Sequence, residues 1–412
     1  MPATRKIVMT TKATPLWGNA EVEVFGERLR DARLIQRLKS GDIAKRAGVS
    51  QSWYSKLEHA MSTVLESDRA QGLAHALDFP VGFLSSPPVT PVQRGSLLFR
   101  AKKSLAKSEE DQLVCWARLV GDLIHSAEPK LRLPFMRIPR IPSGMPPAEA
   151  ARATREALGI GNDEPVPHLI RTLERGGVYV ATIDFDVDLH ARNHDAFSTW
   201  IGPLLDIPLI GVRATESWER TRMSVAHELG HLAMHHSRRE GDLEREAYEF
   251  AAEFLLPLHV LKQEWPESTT LSSLMPLKRL YGMSLASLVE HGYRNGLMSG
   301  GHRTSMYKQM SNRRDHATGE RLRVREPGWR DREVERPKLV ATVAEKAFGG
   351  TASVEGLTTK IFSWRADYVS KLLEGQVTDW ARSLTLASEG DQRENLAQVV
   401  QLRAVGTRRG RA

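Results

Sequence analysis

The sequence predicts a mainly α chain with one small β-sheet, of the α+β class: an all-α N-terminal domain, a mixed domain and a helical C-terminal region. Three observations carry this prediction. Most segments space their apolar residues three and four apart, a few short segments alternate apolar and polar residues, and 412 residues exceed what one hydrophobic core serves. The pattern divides the chain into a domain at 22–88, a helical and proline-rich linker at 89–147, a mixed domain at 148–275 and a helical region at 276–412.

The elements follow in order. In VFGERLRDARLIQRLK, starting at Val24, residues Phe25, Leu29, Ala32 and Ile35 fall at helical spacing. After a break at Ser40-Gly41 come DIAKRAG, the turn Gly48-Val49-Ser50, and QSWYSKLEHA, which together predict helix, tight turn, helix. Ala44 is small where the two helices cross, Gly48 can take a left-handed turn conformation, Ser50 is placed as an N-cap, and Val49 and Leu57 face inward. The positions expected to face outward are Gln51, Ser52, Tyr54, Ser55 and Lys56, a set able to donate to base edges and phosphates of double-stranded DNA. A helical stretch, SDRAQGLAHALDFPVGF, closes the domain.

SSPPVTPV at 85–92 reads as an extended linker, and a long charged helix follows in LLFRAKKSLAKSEEDQLVCWARLVGDLIHSAE. The five prolines of LRLPFMRIPRIPSGMPP then enforce extended chain. PAEAARATREALGI is helical with an apolar stripe at Ala148, Ala151 and Ala157, and PVPHLIRTLERGG forms a second helix ending at glycines. VYVATIDF, AFSTWIGP and IPLIGV read as strands, so a small sheet precedes the histidine-rich segment. Near the end, FSWRADYVSKLLEGQVTDWARSL at 362–384 is helical and amphipathic, and Arg403, Arg408, Arg409 and Arg411 make a basic terminus.

Composition narrows the function. No apolar run reaches the length that spans a bilayer and the N-terminus lacks the apolar core of a secretory signal, so no membrane partner and a cytoplasmic location are expected. Cys115 is the single cysteine, which excludes an internal disulfide, a four-cysteine zinc site and a cysteine-ligated iron–sulfur cluster. Any metal must be held by histidine and carboxylate. The net charge of +8 suits a polyanionic partner.

AHELGHLAMHH, at 226–236, carries four of the 14 histidines. Composition alone places the pattern His-acid-x-x-His only about 0.06 times in such a chain. On a helix His227 and His231 project from one face a turn apart, and Glu228 lies beside them to take a proton from water. His235 does not complete the set, since three histidines at i, i+4 and i+8 span about 12 Å of helix; it and His236 are expected at the helix C-terminus, against its dipole. Met234 and Ser237 occupy the positions where a three-histidine pattern needs Gly and His. A carboxylate is therefore sought downstream. In DLEREAYEFAAEFLLP the stripe Leu243, Ala247, Phe250, Ala251, Phe254 and Leu255 is a buried face that includes Glu244, while Glu246, Glu249 and Glu253 are expected as solvated charges on the opposite face. An inward carboxylate needs a partner, and a cation at His227 and His231 supplies one, so Glu244 is the expected third ligand.

Two resemblances follow from these residues. IAKRAGVSQSWYSKLE resembles the helix-turn-helix of the XRE/Cro family of phage-type repressors, with Ser40 where that family commonly has glutamine and Met61 where it has glycine. RMSVAHELGHLAMHH followed by EREAYEFAAEFLLP resembles the ImmA/IrrE family of metallo-endopeptidases, as do DAFSTW, PLIGV, SLASLVEHGYRNGLMS and REPGWRDREVERPKL in order. Tyr248 stands where that family usually has asparagine, a position from which a side chain could orient a histidine ligand. The resemblance implies a zincin-like metalloprotease fold and one Zn2+ or other divalent ion on His227, His231 and Glu244, with Glu228 as general base. It also implies a protein substrate of the helix-turn-helix repressor type. Joined to an operator-binding module, such an enzyme would control phage, mobile-element or stress genes, and paired half-sites would favour a homodimer. Two other functions stay open: a transcription regulator whose metal site senses or stabilises without cleaving, and the antitoxin of a toxin–antitoxin pair.

Overall fold

The structure is a computed structural model that describes residues 21–89, 107–183, 196–202, 204–213, 217–235, 241–315, 318–349 and 361–372. It is mainly helical with small sheets, of α+β type. The chain forms two compact units, Met1–Pro87 and Pro88–Ala412.

In the first unit, β1 (Glu21–Phe25) and β2 (Ser62–Glu66) pair antiparallel, with Glu21 opposite Glu66 and Phe25 opposite Ser62. This corrects the expectation of an all-α N-terminal domain. The alternation of Val22 and Val24 in EVEVF is a strand signal, and the first helix, α1 (Gly26–Leu34), starts only after it. α2 (Ser40–Arg46) begins at Ser40, so Ser40-Gly41 is its first turn and not a break. Gly48 has φ 66°, the left-handed turn that only glycine enters without cost, and the Ser50 hydroxyl accepts the Trp53 N–H at 3.2 Å to open α3 (Gln51–His59). α4 (Ser67–Leu77) and α5 (Val81–Leu84) complete the unit. Its core joins Leu29, Ile43, Tyr54, Leu73, Leu77 and Phe83.

The second unit contains α6 (Lys107–Ala127), α7 (Pro147–Ala157) and α8 (Leu169–Arg175), and then a three-stranded sheet. Its strands β3 (Tyr179–Ile183), β4 (Ala196–Ile201) and β5 (Ile207–Arg213) lie in the order β3-β5-β4. β3 runs parallel to β5 and β4 antiparallel to it. Next come α9 (Trp218–Met234), α10 (Leu243–Leu255), α11 (Leu258–Glu264), α12 (Met275–Tyr281), α13 (Leu285–Arg294), α14 (Gly300–Asn312), α15 (Leu339–Phe348) and α16 (Ala366–Leu372). α16 opens the helix expected at 362–384; the rest of that stretch and the terminal arginines lie outside the described residues. One apolar core runs continuously from Ile138 to Leu322 and includes Val225, Leu229 and Leu232 of α9 with Phe250 and Phe254 of α10. The buried face of α7 is Ala150, Ala151, Thr154 and Arg155, a register different from the expected stripe, with Ala148 and Ala157 half-buried. Arg155 belongs there because its guanidinium donates to the backbone carbonyls of Phe254, Gly161 and Glu164. No helix among the described residues is long and apolar enough to cross a membrane.

Several helices of this unit are started by side-chain carboxylates, most of them from distant parts of the chain. Glu335 accepts the N–H groups of Leu169 and Ile170 at the head of α8, and Arg222 on α9 holds the same carboxylate at 2.8 Å. Glu326 accepts from Leu285 and Ala286 at the head of α13, where Lys278, itself paired with Glu219, also binds it. Glu253 accepts from Leu258 at the head of α11. Glu174, on α8, accepts from Lys338 and Leu339 at the head of α15. Each arrangement satisfies otherwise orphaned donors and places negative charge at the positive end of a helix.

Glu174 has the deepest burial of these, and burial pushes its carboxyl up to about 7, against the opposing pull of the two backbone N–H groups. A raised acid binds its proton more tightly in the folded chain than in the unfolded one, so this group removes stability as pH rises from its ordinary value of 4.5 through about 7. Glu174→Gln is expected to flatten that slope, measured by urea unfolding of the full chain at a series of pH values across the interval.

Candidate metal centre

The centre is built by two helices. α9 starts at Ser217, whose hydroxyl accepts the Arg220 N–H at 3.2 Å, and buries Val225, Ala226, Leu229 and Leu232, so His227 and His231 are carried on a fixed cylinder one turn apart. α10 starts at Asp242, which accepts the Arg245 N–H at 3.2 Å, and buries Ala247, Phe250, Ala251 and Phe254. The helices approach most closely at Gly230: a Cβ there would lie 2.9 Å from Phe250 Cδ1 and 3.3 Å from the Ala247 Cα. That approach swings the first turn of α10, with Glu244, onto the histidines.

The result is a triangle of donor atoms. His227 Nε2 and His231 Nε2 are 3.1 Å apart, and each lies 3.4 Å from one oxygen of the Glu244 carboxylate. Ligands bonded to one tetrahedral cation at about 2.0–2.1 Å stand about 3.3–3.4 Å from each other, so the three separations are those of a ligand set drawn around a single ion. Among the described residues no fourth His, Cys, Asp or Glu joins the group. Three protein ligands leave one position open, as in catalytic and not structural zinc sites. Both imidazoles are buried, whereas the Glu244 side chain is 37% exposed, so solvent reaches the centre from the α10 side. Burial would raise the Glu244 carboxyl, but the two histidines outweigh it and hold the group down to about 2. It is therefore an anion wherever the histidines are neutral.

Glu228 projects from the same turn and is 2% exposed. Its Oε2 accepts a hydrogen bond of 2.6 Å from the hydroxyl of Ser198 on β4. Ser198 is a residue of the candidate site that helical and strand periodicity did not single out. Its signal in the sequence is a pair of hydroxyls, Ser198 and Thr199, in the otherwise apolar strand AFSTWI.

Residues 174–291 match the IrrE N-terminal-like domain of the M78 peptidases. No curated protein matches the chain. The IrrE-like segment runs from the end of α8 into α13 and holds His227, Glu228, His231, Glu244 and Ser198; it is of metallopeptidase type, and metal dependence is typical of its family.

Around the IrrE-like donors, two expectations of a solvated charge are corrected. Glu246 is not a solvated charge: its carboxylate meets His235 Nε2 at 3.1 Å, and the His235 ring, 1% exposed, meets His231 Nδ1 through its own Nδ1 at 2.9 Å. Glu253 is buried at the head of α11, with Arg152 3.7 Å away, and Glu249 pairs with Arg245 and Arg294. Helical periodicity marks a face but not what covers it: Glu246 meets His235 at the end of α9, and Glu253 meets the head of α11 and Arg152 of α7. The Tyr248 ring lies under the Arg294 guanidinium at 5.2 Å, and burial pushes its hydroxyl up.

Outside the IrrE-like segment, the first unit presents Gln51, Ser52 and Lys56 as exposed residues of α3, with Ser55 half-buried. Tyr54 is 0% exposed, which corrects its expected outward orientation. It lies three before Leu57 on the inward stripe, where its ring fills the core beside the Arg33–Glu58 pair, and burial together with Glu58 pushes its hydroxyl up.

Elemental analysis of the purified chain is expected to find one divalent ion, absent from His231→Ala. Gly230→Val, which forces α10 away, should lower metal content while helix content, read by circular dichroism, stays near wild type.

Proposed function

We propose that the chain is a DNA-binding transcriptional regulator whose second unit is a zinc-dependent endopeptidase acting on a repressor-type protein. The observation that carries this reading is the convergence of His227, His231 and Glu244 beside a buried, hydrogen-bonded Glu228. The donor set of two imidazoles and one carboxylate suits zinc, and a zinc ion bound there would supply Lewis acidity toward a peptide carbonyl and toward water.

The chain's own residues supply the proton transfers. Water adds its oxygen to the carbonyl carbon while Glu228 accepts the proton, and the same carboxyl returns that proton to the amine as the carbon–nitrogen bond breaks. Ser198 keeps one oxygen of Glu228 engaged, which fixes the direction of the other and spares the side chain from rotating away. Partial exposure of Glu244 leaves a route for a polypeptide.

The first unit would bring the enzyme to its operator. Gln51, Ser52, Ser55 and Lys56 stand on α3 as base-edge and phosphate contacts, and paired half-sites call for a homodimer. The substrate implied by the sequence resemblance is a helix-turn-helix repressor.

Glu228→Gln is expected to retain its metal and to cut cleavage of the helix-turn-helix repressor encoded nearest to this gene by about 10²–10⁴-fold; undiminished cleavage by the metal-loaded variant would rule out the role. For the DNA-binding unit, Lys56→Ala should weaken binding to selected operator DNA and lower the salt dependence of the binding constant by about one counterion, read from mobility shifts at several salt concentrations.

A further inference from the structure

The hydrogen bonds behind His231 form a chain of buried groups: His231 Nδ1 to His235 Nδ1 at 2.9 Å, then His235 Nε2 to Glu246 Oε2 at 3.1 Å. The His231 and His235 side chains are 2% and 0% exposed, and that of Glu246 is 13% exposed. We propose that His235 and Glu246 are positioning residues that lock His231 in the tautomer and ring orientation a cation requires, an inference that rests on the metal-centre reading above.

The argument follows the protons. A carboxylate is acceptor-only, so the facing Nε2 of His235 must carry its proton and donate. In neutral His235 the other nitrogen, Nδ1, is then a bare lone pair. A bare Nδ1 must receive a proton from its partner, so His231 carries its own proton on Nδ1. His231 Nε2 is thereby left as a lone pair, and that is the atom aimed at His227 Nε2 and Glu244 in the donor triangle. The alternative, with the His231 proton on Nε2, fails at the far end, because His235 would then set a bare nitrogen against Glu246. One anion at the end of the relay decides which nitrogen is bare two side chains away.

The arrangement also fixes geometry. The rings of His231 and His235 are 5.0 Å apart at 58°, so neither can turn without breaking a bond inside the core. A histidine ligand whose second nitrogen bonds a carboxylate or carbonyl is a recurring device in metal sites. Here a second histidine is interposed, which lets α9 brace its own ligand through the next turn of the same helix and tie that turn to α10.

The test uses the full chain and Co2+ as probe, titrated against a competing chelator and followed by the visible absorption of four-coordinate cobalt. His235→Phe and Glu246→Leu are each expected to weaken Co2+ binding by about 10–100-fold. Glu246→Gln, whose amide oxygen still accepts, should keep most of the affinity. Wild-type affinity in both disruptive variants, with their thermal unfolding unchanged, would overturn the inference while leaving the metal centre intact, whereas a wild-type chain that binds no Co2+ would overturn the metal centre itself. Should the disruptive variants fail to fold, 15N spectra of the histidines in the zinc-loaded wild type decide: protons on His231 Nδ1 and His235 Nε2 support the assignment, and the reverse pattern refutes it.

Discussion

The centre depends on the close contact between α9 and α10 at Gly230. Two histidines one turn apart can offer a cation only two corners of a tetrahedron, and the third must come from another element. Here it comes from α10, which packs on α9 where the absence of a Cβ lets the Phe250 ring and the Ala247 backbone lie against the helix. Glu244 is three residues before Ala247, so the contact that packs α10 also sets the distance of its carboxylate from both imidazoles. Packing and ligation are thus one constraint. The apolar stripe of α10 does more than fill the core, because any shift along it is passed to the donor triangle.

Polar groups around the contact are engaged in a way that favours precision over stability. Glu228 is held from the sheet by Ser198, and His231 is held from behind by His235 and Glu246. Burying such groups is costly unless each meets a partner of the right polarity, and a network of this kind tolerates few alternative arrangements. The partners come from β4, α9 and α10, so the centre is braced by three elements of one core.

Much of this was legible in the sequence because it rests on local spacing. The histidine pair, Glu228, and the inward placement of Glu244 follow from 3.6-residue periodicity, while the turn at Gly48 and the cap at Ser50 follow from residue type and the small sheet ahead of α9 from alternation. What periodicity cannot supply is the identity of the neighbour. Tyr54 has a polar tip and was assigned to the outer face, but its ring shares the stripe of Leu57 and is worth more in the core. Glu246 and Glu253 lie off the apolar stripe and still are covered, one by a histidine and one by a helix start. Arg155 is fully buried because three backbone carbonyls converge on it from 6 to 99 residues away in sequence, a convergence that no local pattern encodes. The strand β1 was hidden by the helix that follows it directly.

The exchange of carboxylates between α8 and the segment at 335–339 has a consequence for where the chain can be divided. Glu335 starts α8, and Glu174 on α8 starts α15. Arg222, on the helix that carries both histidines, is held by the same Glu335. The family match stops at residue 291, yet the counter-charges that its scaffold uses are supplied from beyond that point. The unit of homology and the unit of folding are therefore different lengths of chain, and a fragment trimmed to the former would strip a buried arginine on the histidine-bearing helix of its counter-charge.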